Sequence, residues 1–191
     1  EILFALGLGE KVVGVTEHCN YPPEALDKEK VGGFSTPDIE KIIALQPDLI
    51  LAADIHKNEV IPALEERGLT VFALVPENLA GILEDIRTVG KITGKEEEAS
   101  ELVSQMENRI KAITDKTKDL QERPRVFYIT WHDPLWTSGT GTFIHELIEK
   151  AGGVNIFQDI TGHKAVDIEL VIARNPEIII ASTGHGEAKD E

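Results

Sequence analysis

A run of nineteen residues occurs twice in this sequence, without gaps, at a constant offset of 129 positions. Asp38-Ile-Glu-Lys-Ile-Ile-Ala-Leu-Gln-Pro-Asp-Leu-Ile-Leu-Ala-Ala-Asp-Ile-His56 aligns with Asp167-Ile-Glu-Leu-Val-Ile-Ala-Arg-Asn-Pro-Glu-Ile-Ile-Ile-Ala-Ser-Thr-Gly-His185. Asp, Ile and Glu match at the start, Ile-Ala and Pro in the middle, Ala and His at the end. Each copy reads as a short helix, a proline-marked stop and a buried strand. Apolar matches arise by chance between any two such units, but a Glu and a His at fixed places do so less readily. The repeat therefore predicts two lobes of similar inner architecture facing each other across a cleft.

The rest of the chain supports this division. Short β-branched runs alternate with helical patterns, as in parallel sheets with crossover helices. Lys11-Val-Val-Gly-Val15, Asp48-Leu-Ile-Leu-Ala52 and Thr70-Val-Phe-Ala-Leu74 read as strands. The second is continuously apolar, as a strand buried on both faces is. A helix through Ala63 and Leu64 stops at Gly68, and another from Leu79 to Ile92 stops at Gly94. Residues 95–121 then contain no Gly or Pro, and Ala99, Leu102, Val103, Met106, Ile110, Ile113 and Leu120 fall at helical spacing. Such a helix is roughly 40 Å long. It reads as a surface helix or as a rigid strut, and the strut is favoured because a second α/β pattern follows. That pattern comprises a strand Arg125-Val-Phe-Tyr-Ile-Thr130, a helix from Phe143 to Ala151 ending at Gly152-Gly153, and a strand Glu177-Ile-Ile-Ile-Ala181. The expected fold is α/β, with two Rossmann-like lobes of mainly parallel sheets (residues 1–94 and 122–191) joined by one long α-helix (residues 95–121). Residues 1–7 read as the inside of a helix and residues 184–191 resolve into no element, so the sequence reads as a piece of a longer protein.

Composition narrows the function. With 19 basic and 34 acidic residues the formal charge is −15, which repels phosphate backbones and anionic lipid, so no nucleic-acid partner is expected. The single cysteine, Cys19, excludes an internal disulfide and a cysteine-rich zinc site within one chain. No Gly-x-Ser-x-Gly turn, phosphate-binding loop or dinucleotide-binding glycine pattern occurs, so an enzyme is not expected. Thr137-Ser-Gly-Thr-Gly-Thr142 is glycine-rich and precedes a helix, so it reads as an anion-holding loop or, more simply, as a loop capping that helix.

Candidate ligand contacts lie at strand ends, where open parallel sheets bind their ligands. Phe34 follows Gly32-Gly33, and His163 follows Gly162 at the repeat offset. Trp136 falls in a loop after a strand, while Trp131, His132 and His18 sit at strand ends. His56 and His185 lie just past the two repeat strands, as cleft residues or as solvated loop histidines. Aromatic faces suit a macrocycle, and imidazoles reach polar edges or a metal. Trp131 also reads as a core residue closing its lobe. The histidines show no paired helical spacing, and a bare metal ion needs no stacking surface. Glu40 and Glu169 occupy one repeat position near a helix start, where a carboxylate is favoured by the helix dipole.

The segments Gly7-Leu-Gly-Glu-Lys-Val-Val-Gly-Val15, Tyr21-Pro-Pro23, Val31-Gly-Gly-Phe34, Trp136-Thr-Ser-Gly139 and Ala151-Gly-Gly-Val-Asn-Ile-Phe157, with both repeat copies, carry a resemblance. The chain resembles the substrate-binding proteins of ABC importers for cobalamin, haem and ferric siderophores, most of all the cobalamin-binding branch. The resemblance implies a monomeric, periplasmic or membrane-anchored extracellular protein. It implies ligand contacts at His18, Phe34, Trp136 and His163, and permease docking through Glu40 and Glu169. The transported ligand is expected to be cobalamin or another corrinoid, haem or a ferric siderophore. A bare metal-ion binder and a chelatase-like enzyme remain as alternatives.

Overall fold

The computed structural model describes residues 1–181; residues 182–191, which include His185, lie outside the described residues. The chain divides into two compact units, the first built from Glu1–Val75 and Asp85–Leu102, the second from Pro76–Glu84 and the chain from Val103 onward.

Unit 1 opens with a short helix α1 (Ile2–Ala5) and two brief parallel strands, β1 (Gly14–Val15) and β2 (Glu29–Lys30). The first repeat copy follows as helix α2 (Ile39–Ala44) and strand β3 (Ile50–Ala53), then helix α3 (Val60–Glu65) and strand β4 (Val71–Leu74), with β3 and β4 parallel. The Asp38 carboxylate accepts the Lys41 N–H at 3.1 Å and caps α2, as its type and place require. Val31, Ile42 and Leu64 form the buried core, with Ile39, Ile50, Val60 and Val71 packed against it. Only Gly14 and Val15 of the expected strand Lys11–Val15 pair; Lys11 ends a short 3-10 turn, Gly9–Lys11, and Val12 is its C-cap.

Two helices follow, α4 (Leu79–Thr93) and α5 (Glu96–Thr117), and the unit boundaries fall inside both. The turn between them is tight: a Cβ on Gly90 would stand 2.4 Å from the Ala99 methyl, so only glycine allows this approach. Three glutamates, Glu96, Glu97 and Glu98, open α5 where its dipole favours negative charge. Its other end is held by the Thr117 hydroxyl, which donates to the Lys150 carbonyl at 2.6 Å. Among the described residues no helix is long and apolar enough to cross a membrane.

Unit 2 is built on strand β5 (Arg125–Ile129), which pairs in parallel with β8 (Val154–Asn155) on one side and β10 (Ile178–Ala181) on the other. Helix α6 (Phe143–Lys150) is capped by the Thr142 hydroxyl, which accepts the His145 N–H at 3.2 Å, as the glycine-rich segment suggested. The second repeat copy forms helix α7 (Ile168–Arg174) and β10. Val171, at the repeat position of Ile42, is buried with Phe127, Ile156 and Phe157, so the repeat seats each unit's core with the same side of its helix. The expectation that both repeat strands are buried is corrected here. Ile178, Ile179 and Ile180 are 42%, 61% and 42% exposed, because among the described residues β10 pairs only with β5. A feature absent from the sequence reading is a three-stranded antiparallel sheet, β6 (Trp131–His132), β7 (Leu135–Ser138) and β9 (His163–Ala165), in the order β6-β7-β9. The mainly parallel α/β character with one long helix is as expected.

Candidate ligand-binding site

In unit 1 the candidate residues follow the carboxyl ends of parallel strands. His18 lies exposed in the turn after β1, and Phe34, 49% exposed, lies in the loop after β2. The Glu17 N–H donates to the Gly32 carbonyl at 2.9 Å and ties the first loop to the second. His56 closes the 3-10 turn after β3 and is buried. Its Nδ1 meets the Ala53 N–H at 3.0 Å, its Nε2 meets the Phe34 carbonyl at 2.7 Å, and its ring meets the Phe34 ring edge-on at 5.5 Å. Tyr21 and Ile55, not among the contacts expected from the sequence, are large exposed apolar residues on the same set of loops. Their apolar character in segments that join no helix stripe was the available signal.

In unit 2, β5 runs out into the β6–β7 hairpin through Asp133-Pro134. Trp131 stands opposite Trp136 in this ladder, and Ser138 stands opposite His163 in the next. Directly opposed residues and residues two apart share a face, so Trp131, Trp136 and His163 project from the same side of this sheet. Trp136 is thus a strand residue and not the loop residue expected from its Asp-Pro neighbours. The core reading of Trp131 also falls, since it is 42% exposed, and Trp136 is 37% exposed. The Trp131 Nε1–H donates to the Asp133 carbonyl at 2.8 Å and its ring lies against His132 at 5.2 Å, which fixes the indole.

Beneath these exposed rings the sheet is held by buried hydroxyls. Ser138 Oγ lies 3.0 Å from His163 Nδ1 and 2.9 Å from Thr130 Oγ1, and the Thr137 hydroxyl donates to the Tyr128 carbonyl at 2.7 Å. Thr137 and Ser138 are fully buried. Asn155, also fully buried, donates to the Ser138 carbonyl at 2.7 Å and accepts the Phe157 N–H at 2.9 Å. Below it Arg174 forks onto Asp159 at 2.5 and 2.9 Å, donates to the Ile156 carbonyl, and lies 4.3 Å above the Phe157 ring. Hydrogen bonds from the Arg174 guanidinium hold the Asp159 carboxyl below the usual carboxylate range. By register Ser138 shares the face with His163 and anchors it there, whereas Thr137 projects to the opposite side. The shared hydroxyls of Ser138 and Thr130 were missed because hydroxyl residues in the motif Trp136-Thr-Ser-Gly139 carry no spacing signal of their own.

The arrangement offers flat π surfaces and one anchored imidazole, suited to stacking and edge contacts with an extended ring system. Among the described residues no three His, Cys, Asp or Glu side chains converge to hold a metal ion. Glu40 and Glu169 are both exposed in the first turn of their helices, with Glu40 3.3 Å from Arg67.

A sequence model of the periplasmic binding protein family matches residues 1–191. The chain belongs to that family. This periplasmic binding protein is 34% identical over 191 residues to an uncharacterised ABC transporter substrate-binding lipoprotein of Bacillus subtilis, covering 96% of this chain and 60% of that protein. The solved periplasmic vitamin B12 binding protein of Vibrio cholerae superposes with a TM-score of 0.81 at 31% identity, over 96% of this chain and 72% of that one. The apo periplasmic heme-binding protein of a Roseiflexus species does so with a TM-score of 0.85 at 29% identity, over 95% and 72%. The periplasmic binding protein chain spans between half and two-thirds of the length of the curated relatives it matches.

Proposed function

We propose that this chain is part of the extracytoplasmic solute-binding subunit of an ABC importer, one that captures cobalamin or a related metal chelate and delivers it to a membrane permease. The observation that carries the reading is the exposed Trp131–Trp136 pair with His163 on the same face of unit 2. Two indole faces on a sheet anchored by buried hydroxyls offer a corrin-sized ligand apolar contact at low entropy cost. Phe34, set on its own loop in unit 1, and His18 on the loop beside it are further contacts in this reading. The likeness to vitamin B12-binding proteins supports cobalamin, and the presence of His132 and His163 beside the indoles favours haem as the second reading.

Glu40 and Glu169 serve as the permease-docking pair. They share one repeat position, lie in the first turns of matching helices and are solvent-exposed, so each can form charge-assisted bonds to arginines of a membrane partner. The Arg67 contact of Glu40 is an exposed pair, and such pairs are weak enough to exchange.

The test is a titration of the purified full-length protein with cyanocobalamin, haemin and a ferric siderophore, followed by quenching of tryptophan fluorescence. Saturation at one equivalent by a single ligand supports the reading, and absence of quenching by all three refutes it. For docking, Glu40→Arg with Glu169→Arg abolishes uptake in cells while ligand affinity is kept. Loss of affinity in that variant removes the docking assignment.

A further inference from the structure

Both ring nitrogens of His56 are engaged inside unit 1. The Ala53 backbone N–H can only donate, so Nδ1, at 3.0 Å, is the acceptor and carries no proton. The neutral ring then has its proton on Nε2, which donates to the Phe34 carbonyl at 2.7 Å. No lone pair is left for a metal and no donor for a ligand. The ring is 7% exposed, whereas Phe34, which it touches edge-on at 5.5 Å, is 49% exposed. Twenty-two residues separate the two in sequence, so the contact spans from the turn after β3 to the loop after β2.

That loop is tied at its ends by backbone bonds, from Glu17 N–H to the Gly32 carbonyl and from Asp38 N–H to the Val31 carbonyl. Gly32 also bridges to Pro37 across the loop's neck. At the tip, the hydrogen bond to the Phe34 carbonyl comes from His56. The same imidazole therefore fixes both the peptide and the ring of Phe34. A loop tip without that bond samples other conformations, and a ligand contact made by Phe34 then loses affinity through the cost of ordering it.

We infer that His56 is a positioning residue, which acts on ligand affinity through Phe34 and does not touch the ligand. The role in affinity rests on the reading of Phe34 as a contact to the transported chelate. The clamp on the Phe34 loop does not depend on that reading, and the two are measured separately.

The experiment uses the full-length protein with His56→Asn, which keeps an acceptor for the Ala53 N–H but is too short to reach Phe34. His56→Gln, whose amide N–H reaches the place of Nε2, is the rescue variant. Thermal unfolding first confirms that each variant folds. Without ligand, backbone order parameters from 15N relaxation at residues 33–36 fall below about 0.6 in His56→Asn, which loses the bond to the Phe34 carbonyl, and stay near wild type in His56→Gln. Unchanged order parameters in His56→Asn overturn the clamp.

Cyanocobalamin and haemin then serve as probes in a double-mutant cycle with Phe34→Ala. Affinity falls up to about tenfold for His56→Asn alone and falls no further when Phe34 is already Ala. Equal losses in both backgrounds overturn the inference, since they mark His56 as acting independently of Phe34. If wild-type protein binds neither probe, the functional reading fails and takes the affinity role with it, while the order parameters still decide the clamp.

Discussion

Replacing Trp131 by Ala tests the aromatic face most directly. Trp131 is 42% exposed, held by its Nε1–H bond to the Asp133 carbonyl and by the His132 ring. A tryptophan residue has about 250 Å² to bury, so roughly 100 Å² of Trp131 is open for a ligand to cover. At about 25 cal/mol per Å² of apolar surface, full coverage is worth about 2.5 kcal/mol. That corresponds to between one and two orders of magnitude in Kd, and it is an upper value because a ligand covers only part of the ring. The assay is fluorescence titration with cyanocobalamin or haemin. The sequence holds two tryptophans and both lie on this hairpin, so the Trp131→Ala variant leaves Trp136 as the sole reporter, directly opposite the change. Trp131→Phe keeps most of the ring area and loses the indole N–H, so its affinity falls by about threefold only. Thermal unfolding of both variants separates a lost contact from a lost fold. A folded Trp131→Ala protein that binds within about threefold of wild type refutes the idea that the exposed indole stacks on the ligand.

Two further predictions concern the scaffold under that face. A Cβ added at Gly139 would stand 2.2 Å from the Ile160 carbonyl oxygen, and backbone cannot yield as a side-chain tip can. Gly139→Ala therefore costs about 1–3 kcal/mol and lowers Tm by several degrees in calorimetry, and an unchanged Tm refutes the close approach. The Asp159 carboxyl is held low by hydrogen bonds from Arg174, so its folded pKa lies below the unfolded value. The pair's contribution is then complete above the ordinary carboxylate pKa of about 3.9 and is lost as pH falls through the lower folded value. Asp159→Asn is accordingly less stable than wild type at neutral pH, and the gap closes below about pH 4 in denaturant titrations; a gap independent of pH contradicts this.

Strong periodicity explains what was legible in the sequence. The helices α4, α5 and α6 and the strands β4 and β5 fall within a few residues of their expected bounds, since each buries a continuous apolar set whose spacing is visible locally. The β6-β7-β9 sheet was not legible, because its strands have two to four residues and the β7–β9 pairing is non-local. Trp136 reaches Ala165 and Ser138 reaches His163 through an approach of Gly139 to Ile160 that no window of sequence displays. The inward bonds of His56 were not legible for a related reason. An imidazole past a strand end looks the same whether it turns to a ligand or to a carbonyl twenty-two residues away. The exposure of β10 depends on which strands flank it, and a run of isoleucines does not encode its neighbours.

The repeat, by contrast, extends into the backbone further than the residue matches suggest. Gln46 and Asn175 occupy one repeat position, directly before the shared proline, and both are left-handed, with φ of 48° and 47°. Gln46 follows the C-cap Leu45 of α2 and Asn175 is itself the C-cap of α7, and only the second copy carries a residue suited to that conformation. Asparagine tolerates the left-handed region through its short polar side chain, whereas glutamine has no such compensation. Gln46→Asn should therefore stabilise unit 1, and Asn175→Gln should destabilise unit 2, each by about 0.5–1 kcal/mol, with little change in the unfolded chain to confuse the comparison. Paired chemical-denaturation curves measure both. Opposite signs of similar size mean that the helix-stop geometry is a shared constraint of the two copies. Equal signs, or an effect confined to one copy, mean that the matching φ values impose no matching energy, and the repeat then reaches only as far as the buried positions Ile42 and Val171.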